Sequence, residues 1–372
     1  MATSMRRTVL GLACALALLA CASEARSEPD EPPYRRYFYQ GRDYGSEALF
    51  GPASVFLNRG FDVLQLRPKT RDPFDQRYGP NLDNVGRSLA DPLHTIEARG
   101  TERFIVQELF PLSFTTESAR WAPNYGLHVI GGGVTYRALW EWFRGQGAPV
   151  PALFSALTLY GAATVNEALE NKNFVGPNTD ALADLYVFDL AGILLFSVDP
   201  VAEFFSTRLR VRDWSLQPAL AAPRRELHNV GNYYAVKFPV PYVPRLELFS
   251  YVGFSTLGGL SLRVGRGLSV SAAGGVKIIT LQNSDTTSLA NVIASRPSGA
   301  LFLDRNDSLL ASLQVSDVSD YFVHANLYPN ALFRSKPGVG FFAAASREAQ
   351  WMAGVSFTGS LGLGVAVGTL RP

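Results

Sequence analysis

Residues 351–369, WMAGVSFTGSLGLGVAVGT, decide how the fold is read. Odd positions carry Trp351, Ala353, Val355, Phe357, Leu361, Leu363, Val365 and Val367. Even positions carry Met352, Gly354, Ser356, Thr358, Ser360, Gly362, Gly364, Ala366 and Gly368. Bulky residues on one parity and small ones on the other have the period of two that sends neighbouring side chains to opposite faces of a sheet. Thr358-Gly359-Ser360 predicts a turn between two strands.

The same parity runs upstream. Leu260, Leu262, Val264, Leu268 and Val270 share a face, with Ser261, Arg263, Ser269 and Ser271 opposite and Gly265-Arg266-Gly267 turning between them. Leu309, Ala311, Leu313 and Val315 oppose Ser312, Gln314 and Ser316. Tyr321, Val323, Ala325 and Leu327 oppose Phe322, His324 and Asn326. This predicts about eight strands between Gly231 and Thr369, most near the roughly 9–11 residues of a membrane strand. A soluble sandwich turns its large face inward and a charged face to water. Here the opposite face is Gly, Ser, Thr and Ala with few charges, which suits a narrow interior. The expected architecture is α+β and membrane-associated: an apolar helical block (residues 124–207) followed by a small antiparallel β-barrel (residues 229–372). Tyr233, Tyr234, Tyr242, Phe249, Tyr251, Tyr321, Phe341, Phe342 and Trp351 would form its interfacial girdles. Leu370-Arg371-Pro372 departs from the terminal aromatic usual in such barrels. The alternative is a soluble or half-embedded sheet whose aromatics are ordinary core.

The helical block has three apolar segments, 124–145, 151–171 and 178–207, punctuated by Pro149, Pro151, Gly176 and Pro177. ALFSALTLYGAATV (152–165) and LYVFDLAGILLFSV (185–198) are apolar nearly all round, as in helices buried in protein or lying against lipid. Asn178 or Thr179 is a natural N-cap before Asp180. His128 opens the block, Asn166, Glu167, Glu170 and Asn171 close its second segment, and Asp180, Asp184 and Asp189 punctuate the third. Glu167 and Glu170 lie three apart and Asp180 and Asp184 four apart, hence on shared helix faces. Ionisable groups in apolar helices are costly unless paired or hydrated. His128, Glu167, Glu170 and Asp184 are therefore the candidate catalytic residues for metal or general acid–base chemistry, with no cofactor or metal specified. The competing reading is interhelical hydrogen bonding and capping, with the carboxylates paired to Arg137, Arg144 or Arg208. His94 and His228 read as solvated loop residues, and His324 as a hydrogen-bonding group on the small-residue face. Gly131-Gly132-Gly133 reads as close helix packing. No Gly-x-Ser-x-Gly elbow, Walker loop, HExxH or CxxC occurs.

Residues 1–20 read as an export signal, with Arg6-Arg7 before an apolar run that is too short to span a bilayer. Leu18-Leu19-Ala20-Cys21 resembles the lipobox of bacterial lipoproteins, which makes Cys21 the lipidated first mature residue; cleavage after Ala22 or Ala25 is the alternative. Cys14 lies inside the signal, so no disulfide is expected. Residues 21–123 read as a tether and mixed periplasmic region, in which 51–66 is a short helix or strand pair and 67–99 a long loop. The chain has 372 residues, 47% of them hydrophobic, which excludes disorder. Its 34 basic and 32 acidic residues, two of the former in the signal, make a nucleic-acid partner unlikely on charge.

His128, the NEALEN run at 166–171, Asp180, Asp184, Asp189 and Gly192 together resemble a pattern in uncharacterised bacterial envelope proteins, including small periplasmic lipoproteins. Asp189 stands where an Asn is expected. The resemblance covers 128–192 and implies an envelope location with no activity to carry over. The expected function is an outer-membrane-anchored, periplasm-facing protein with a structural role, or one that binds membrane lipid or an envelope protein partner. The alternatives are a membrane-embedded metal-dependent hydrolase or lipid-modifying enzyme, and a narrow channel or transporter component.

Overall fold

The computed structural model describes residues 35–66, 70–111, 122–171, 174–285, 288–318, 321–359 and 361–370. The signal segment and Cys21 lie outside these residues.

Pro52 at the first position opens α1 (Pro52–Phe61), where its missing N–H costs nothing. Ser54 Oγ accepts from Gly51 N–H at 3.1 Å and closes the turn. The stretch expected to be a long loop is largely helical: α2 (Tyr78–Ala90) and α3 (Pro92–Arg99). Two of the prolines that suggested a loop, Pro80 and Pro92, sit instead in first helical turns, where N–H groups have no intrahelical partner anyway. Asp91 caps α3, accepting from His94 N–H at 3.3 Å, and His94 is exposed.

Beyond this, a π-helical segment (Ala122–Gly132) runs into α4 (Gly133–Gly145), followed by α5 (Pro151–Glu170). Next come α6 (Thr179–Ala183), a π turn (Asp184–Phe188), α7 (Asp189–Phe196) and α8 (Asp199–Glu203). Close packing requires two of the glycines. A Cβ on Gly133 would stand 2.1 Å from the Phe196 ring, and one on Gly192 would stand 2.6 Å from Val129 O. Among the described residues no single helix is long and apolar enough to cross a membrane. Thr179–Phe196 and Asp199–Arg208 reach that length only together, bent by 89°.

The sheet has thirteen strands, not about eight, and it is open. They are β1 (Arg212–Asp213), β2 (Ala219–Ala221), β3 (Glu226–His228), β4 (Tyr234–Pro239), β5 (Leu246–Val252), β6 (Ser255–Gly265), β7 (Leu268–Asp285), β8 (Ser288–Arg305), β9 (Ser308–Ser316), β10 (Val323–Leu327), β11 (Val339–Ala345), β12 (Trp351–Phe357) and β13 (Gly364–Gly368). The order is β1-β4-β5-β6-β7-β8-β9-β10-β11-β12-β13-β2-β3, all antiparallel except β13–β2. The antiparallel barrel expected from parity is thus replaced by an open mixed sheet. The cause is the segment before residue 229, read as lying outside the β region. It supplies three short strands, of which β1 pairs with β4 while β2 and β3 extend the other end. The ladder therefore ends at β1 and β3 without joining them.

Parity nevertheless sorts the faces. Val365 and Val367 are 55% and 62% exposed, and Leu248, Leu260, Leu262, Leu301, Phe341 and Trp351 are exposed alongside them. Opposite these, Trp214, Tyr233, Phe249, Tyr251, Phe302 and Tyr328 form a core that also receives Leu49. Most of the expected girdle is therefore internal: of those nine aromatics only Tyr242, Phe341 and Trp351 are exposed, and the rest are buried. The inner face also carries charge, with Lys237 Nζ 2.5 Å from Asp304 and Arg210 bridging Glu247 and Asp307. A second core of Tyr37, Phe38, Val134, Ala138, Phe196 and Tyr234 joins the helices to β4.

Candidate functional site

Six short pieces of chain converge on one polar cluster. α5 brings Glu167 in its last turn, and α6 brings Asp180 just after its cap, Asn178, whose side chain accepts from Ala181 N–H at 3.1 Å. The π turn begins with Asp184 and α7 with Asp189. His128 comes from the facing π-helical segment and Arg59 from α1. π-helical turns are rare and concentrate at functional sites, because the extra residue per turn re-aims side chains. Here two such turns face each other, with Gly192 packed on the carbonyls of His128 and Val129.

The geometry has two halves. Oxygens of Glu167, Asp180 and Asp184 all lie within 4.8 Å of one another. Beside them, His128 Nε2 stands 3.6 Å from Asp184 Oδ2, and its Nδ1 stands 3.2 Å from Asp189 Oδ1. Arg59 Nη2 donates to Asp189 Oδ1 at 2.6 Å, while Arg59 Nη1 donates to Leu127 O at 3.4 Å. The carboxylate–imidazole–carboxylate line fixes the ring orientation: Nδ1 is held from behind by Asp189, and Nε2 faces the acids. A layer of amides supports the arrangement. Asn171 Oδ1 accepts from Asn84 at 2.8 Å and from Asn178 at 3.2 Å, and Asn171 Nδ2 donates to Asn81 at 3.2 Å, tying α2, α5 and the start of α6 together.

Burial dominates the electrostatics. It raises the Glu167 carboxyl well above the usual range, and the neighbouring Glu170, Asp180 and Asp189 add to the rise. Asp184 is raised by burial and then by Glu167, Asp180 and Asp189. Glu167 and Asp184 lie close enough to share a proton, and both being raised favours one proton held between the two carboxyls. Asp184 Oδ1 and Asp189 Oδ2 are buried without a hydrogen-bond partner among the described residues. Three carboxylate oxygens form a donor set for a divalent cation of the Mg or Mn type, with the His128 imidazole beside Asp184. The same groups, holding a proton instead, form an acid–base pair.

No protein-family profile, curated protein or solved structure matches the chain.

The four candidates read from sequence are divided by the fold. His128, Glu167 and Asp184 come together, whereas Glu170 lies outside the close oxygen set and acts on Asp62. Asp62 is pushed up to about 8 by burial and by Glu170, with Asn166 donating to it at 2.8 Å. Arg137 does not serve the acid cluster. It pairs with Glu141 at 3.4 Å and Asp199 at 2.5 Å. The cation that does serve it, Arg59, was missed, as was Asp62. The available signal was a charged pair flanking Gly60-Phe61 inside an otherwise apolar amphipathic helix. His228, expected to be solvated, is fully buried between Tyr321 OH at 3.0 Å and Glu226 at 2.9 Å, because β3 pairs with β2. His324 lies 2.8 Å from Asn229 Oδ1 on the inner face.

Proposed function

We propose that this chain is an envelope protein attached to the bacterial outer membrane on its periplasmic side, with a structural or lipid-binding role exerted through the apolar face of its sheet. One observation carries this reading: an outward face of Leu, Val, Phe and Trp on strands from β5 to β13 that none of the described residues covers. Apolar surface on that scale marks an interaction site with lipid or protein, and each Å² withdrawn from water contributes roughly 25 cal/mol. The edge strands suit hydrocarbon, where unpaired backbone groups are costly. β1 and β3 are two and three residues long, and the intervening chain donates from Trp214 N to Tyr233 O and accepts at Pro218 O from Gly364 N. The export signal and Cys21 support the same location.

The test uses the detergent-purified full chain mixed with phosphatidylcholine vesicles carrying brominated acyl chains. Emission from Trp351 should be quenched, identified by its loss in Trp351→Phe. Val365→Lys with Val367→Lys should lower vesicle partitioning at least ten-fold, since a lysine facing lipid at the midplane costs about 2–4 kcal/mol. Full solubility without detergent and unquenched emission would sink the reading.

The acid cluster favours a second reading, metal-dependent hydrolysis of a lipid or envelope substrate. Glu167, Asp180 and Asp184 would hold the cation beside His128, and its chemistry would be to activate water. Mn²⁺ at a hundred times its dissociation constant should then stabilise the protein by about 2.7 kcal/mol, with Glu167→Gln and Asp184→Asn abolishing the effect. The pH dependence has a definite sign. The folded state holds the shared proton more tightly than the unfolded chain does. The pair's contribution to metal-free stability is therefore fully present at low pH and is lost as pH rises from the ordinary carboxylate range towards the raised folded values. Glu167→Gln should flatten that fall. Melting curves across pH, with and without Mn²⁺, read both effects, and an unsaturable or absent Mn²⁺ response removes this reading.

A further inference from the structure

The end strand of the sheet, β3, is held on both edges, but by different parts of the chain. On one edge it pairs with β2: Ala219 with His228, Leu220 with Leu227 and Ala221 with Glu226. The other edge meets the chain between α1 and α2. There Leu227 N–H donates to Arg71 O at 2.8 Å, and Gln65 Nε2 donates to Leu227 O at 3.0 Å. Arg225 adds an ion pair with Asp72 at 2.8 Å. This strand of three residues is thus a joint between the helical layer and the sheet.

His228 lies at the centre of the joint and is fully buried. Its Nε2 is 2.9 Å from Glu226 Oε2, and its Nδ1 is 3.0 Å from Tyr321 Oη. Burial works against ionisation of Glu226, but His228, Arg224 and Arg71 outweigh it and hold the carboxyl below its ordinary value. An ionised carboxylate can only accept, so Nε2 carries the ring's proton and Nδ1 accepts from the phenol. A second proton would have to enter at Nδ1, where Tyr321 already directs its own hydrogen. The resulting cation would be buried beside Arg71 and Arg224, and the carboxylate in contact, Glu226, is already bonded by Arg224 at 3.0 Å. Arg71 and Lys277 lie 4.9 and 5.2 Å from the centre of the Tyr321 ring, and the His324 ring lies 5.4 Å from it. Burial pushes the His228 imidazole down, and Arg71 and Arg224 push the same way against Glu226. His324 is pushed down to about 3 by burial and Lys277, so it titrates elsewhere.

We infer that β3 is an acid-released latch between the helical layer and the sheet, with His228 as its sensor. The neutral ring holds the strand, and the protonated ring is accommodated when β3 leaves β2 and the imidazole meets water. A solvated imidazole takes its proton at roughly pH 6.5. The closed joint binds fewer protons than the open one, so closure weakens as pH falls through the ordinary histidine range. One proton changes the ratio of open to closed about ten-fold per pH unit, until the lowered folded value is reached. Opening leaves one edge of β2 unpaired while the other keeps β13. The acid cluster responds to pH with the opposite sign, and the latch is independent of the function proposed above.

The experiment measures hydrogen exchange along the full chain in detergent, expressed as protection after correction for the intrinsic effect of pH. Protection at Leu227 N–H should be flat above about pH 7 and fall about ten-fold per unit below roughly 6.5. Amides of β5 to β8 should keep their protection over the same range. His228→Gln supplies a donor and an acceptor without a titrating group, so its Leu227 protection should not fall. If that variant does not fold, exchange of the His228 C2 hydrogen in wild type reads the ring's own titration, expected below about 6.5. Leu227 protection that ignores pH, an equal fall in His228→Gln, a simultaneous loss across β5 to β8, or a His228 ring titrating at or above about 6.5 would each overturn the inference.

Discussion

Arg59→Met is expected to lower folding stability by about 3–5 kcal/mol, the usual cost of leaving a buried charge without its partner. Asp189 is fully buried, and the Arg59 side chain that meets it at 2.6 Å is only 7% exposed. Removing the guanidinium leaves Asp189 with His128 Nδ1 at 3.2 Å as its remaining side-chain contact among the described residues, where its other oxygen already lacks a partner. A buried carboxylate without a counter-charge is costly only in its ionised form. The loss should therefore shrink as pH falls, and a denaturant series at several pH values reads it directly. The double variant Arg59→Met/Asp189→Leu removes both charges and should recover most of the loss, since a buried ion pair replaced by apolar groups is often close to neutral. The coupling between the two positions is then the difference between the double variant and the two singles. A single-variant loss below about 1 kcal/mol would mean that water reaches Asp189 when Arg59 is gone, and that the ion pair does not hold the imidazole in place.

Much of the sheet was legible because parity is a local property. Trp351, Val365 and Val367 fall on the exposed face as their alternation requires, and Gly354, Ser356 and Ala366 fall opposite. What parity could not carry is how the ladder ends. β1, β2 and β3 have two or three residues each, too few to show an alternation, and the pairing that joins them to the far end of the ladder, β13 with β2, spans over a hundred residues. The girdle expectation failed for a different reason, since it set the rule aside. Phe249 and Tyr251 share parity with Glu247 and oppose the exposed Leu248, so alternation alone assigns them to the interior. In the helical block, charges set in apolar segments exposed His128, Glu167 and Asp184 as candidates. Residues three apart on a helix are still turned by about 60°, which is enough to direct Glu170 towards Asp62 and away from the close oxygen set. Arg59 stayed hidden because an Arg on an amphipathic helix is ordinary, and only tertiary contact reveals that this one faces inward.

Glu141→Ala is expected to release the segment that leads into the fold. Glu141 is completely buried in α4 and accepts three backbone N–H groups: Tyr37 at 2.9 Å, Phe38 at 2.9 Å and Tyr39 at 2.8 Å. A carboxylate is the natural acceptor for such a nest, having two oxygens and no donor. Alanine would strand three N–H groups, each costing about 1–3 kcal/mol if left buried, so the chain has a cheaper course. Residues 37–39 detach, the amides are hydrated, and the cost becomes the lost burial of Tyr37 and Phe38, about 1.5–3 kcal/mol each. Arg137 keeps Asp199 at 2.5 Å, so its charge is not abandoned. Hydrogen exchange at the three amides should accelerate by orders of magnitude while the sheet core stays protected, and proteases should cut near residue 37. Glu141→Gln separates charge from shape. Its amide oxygen still accepts, but its NH₂ would face N–H donors, so it should fall between wild type and alanine.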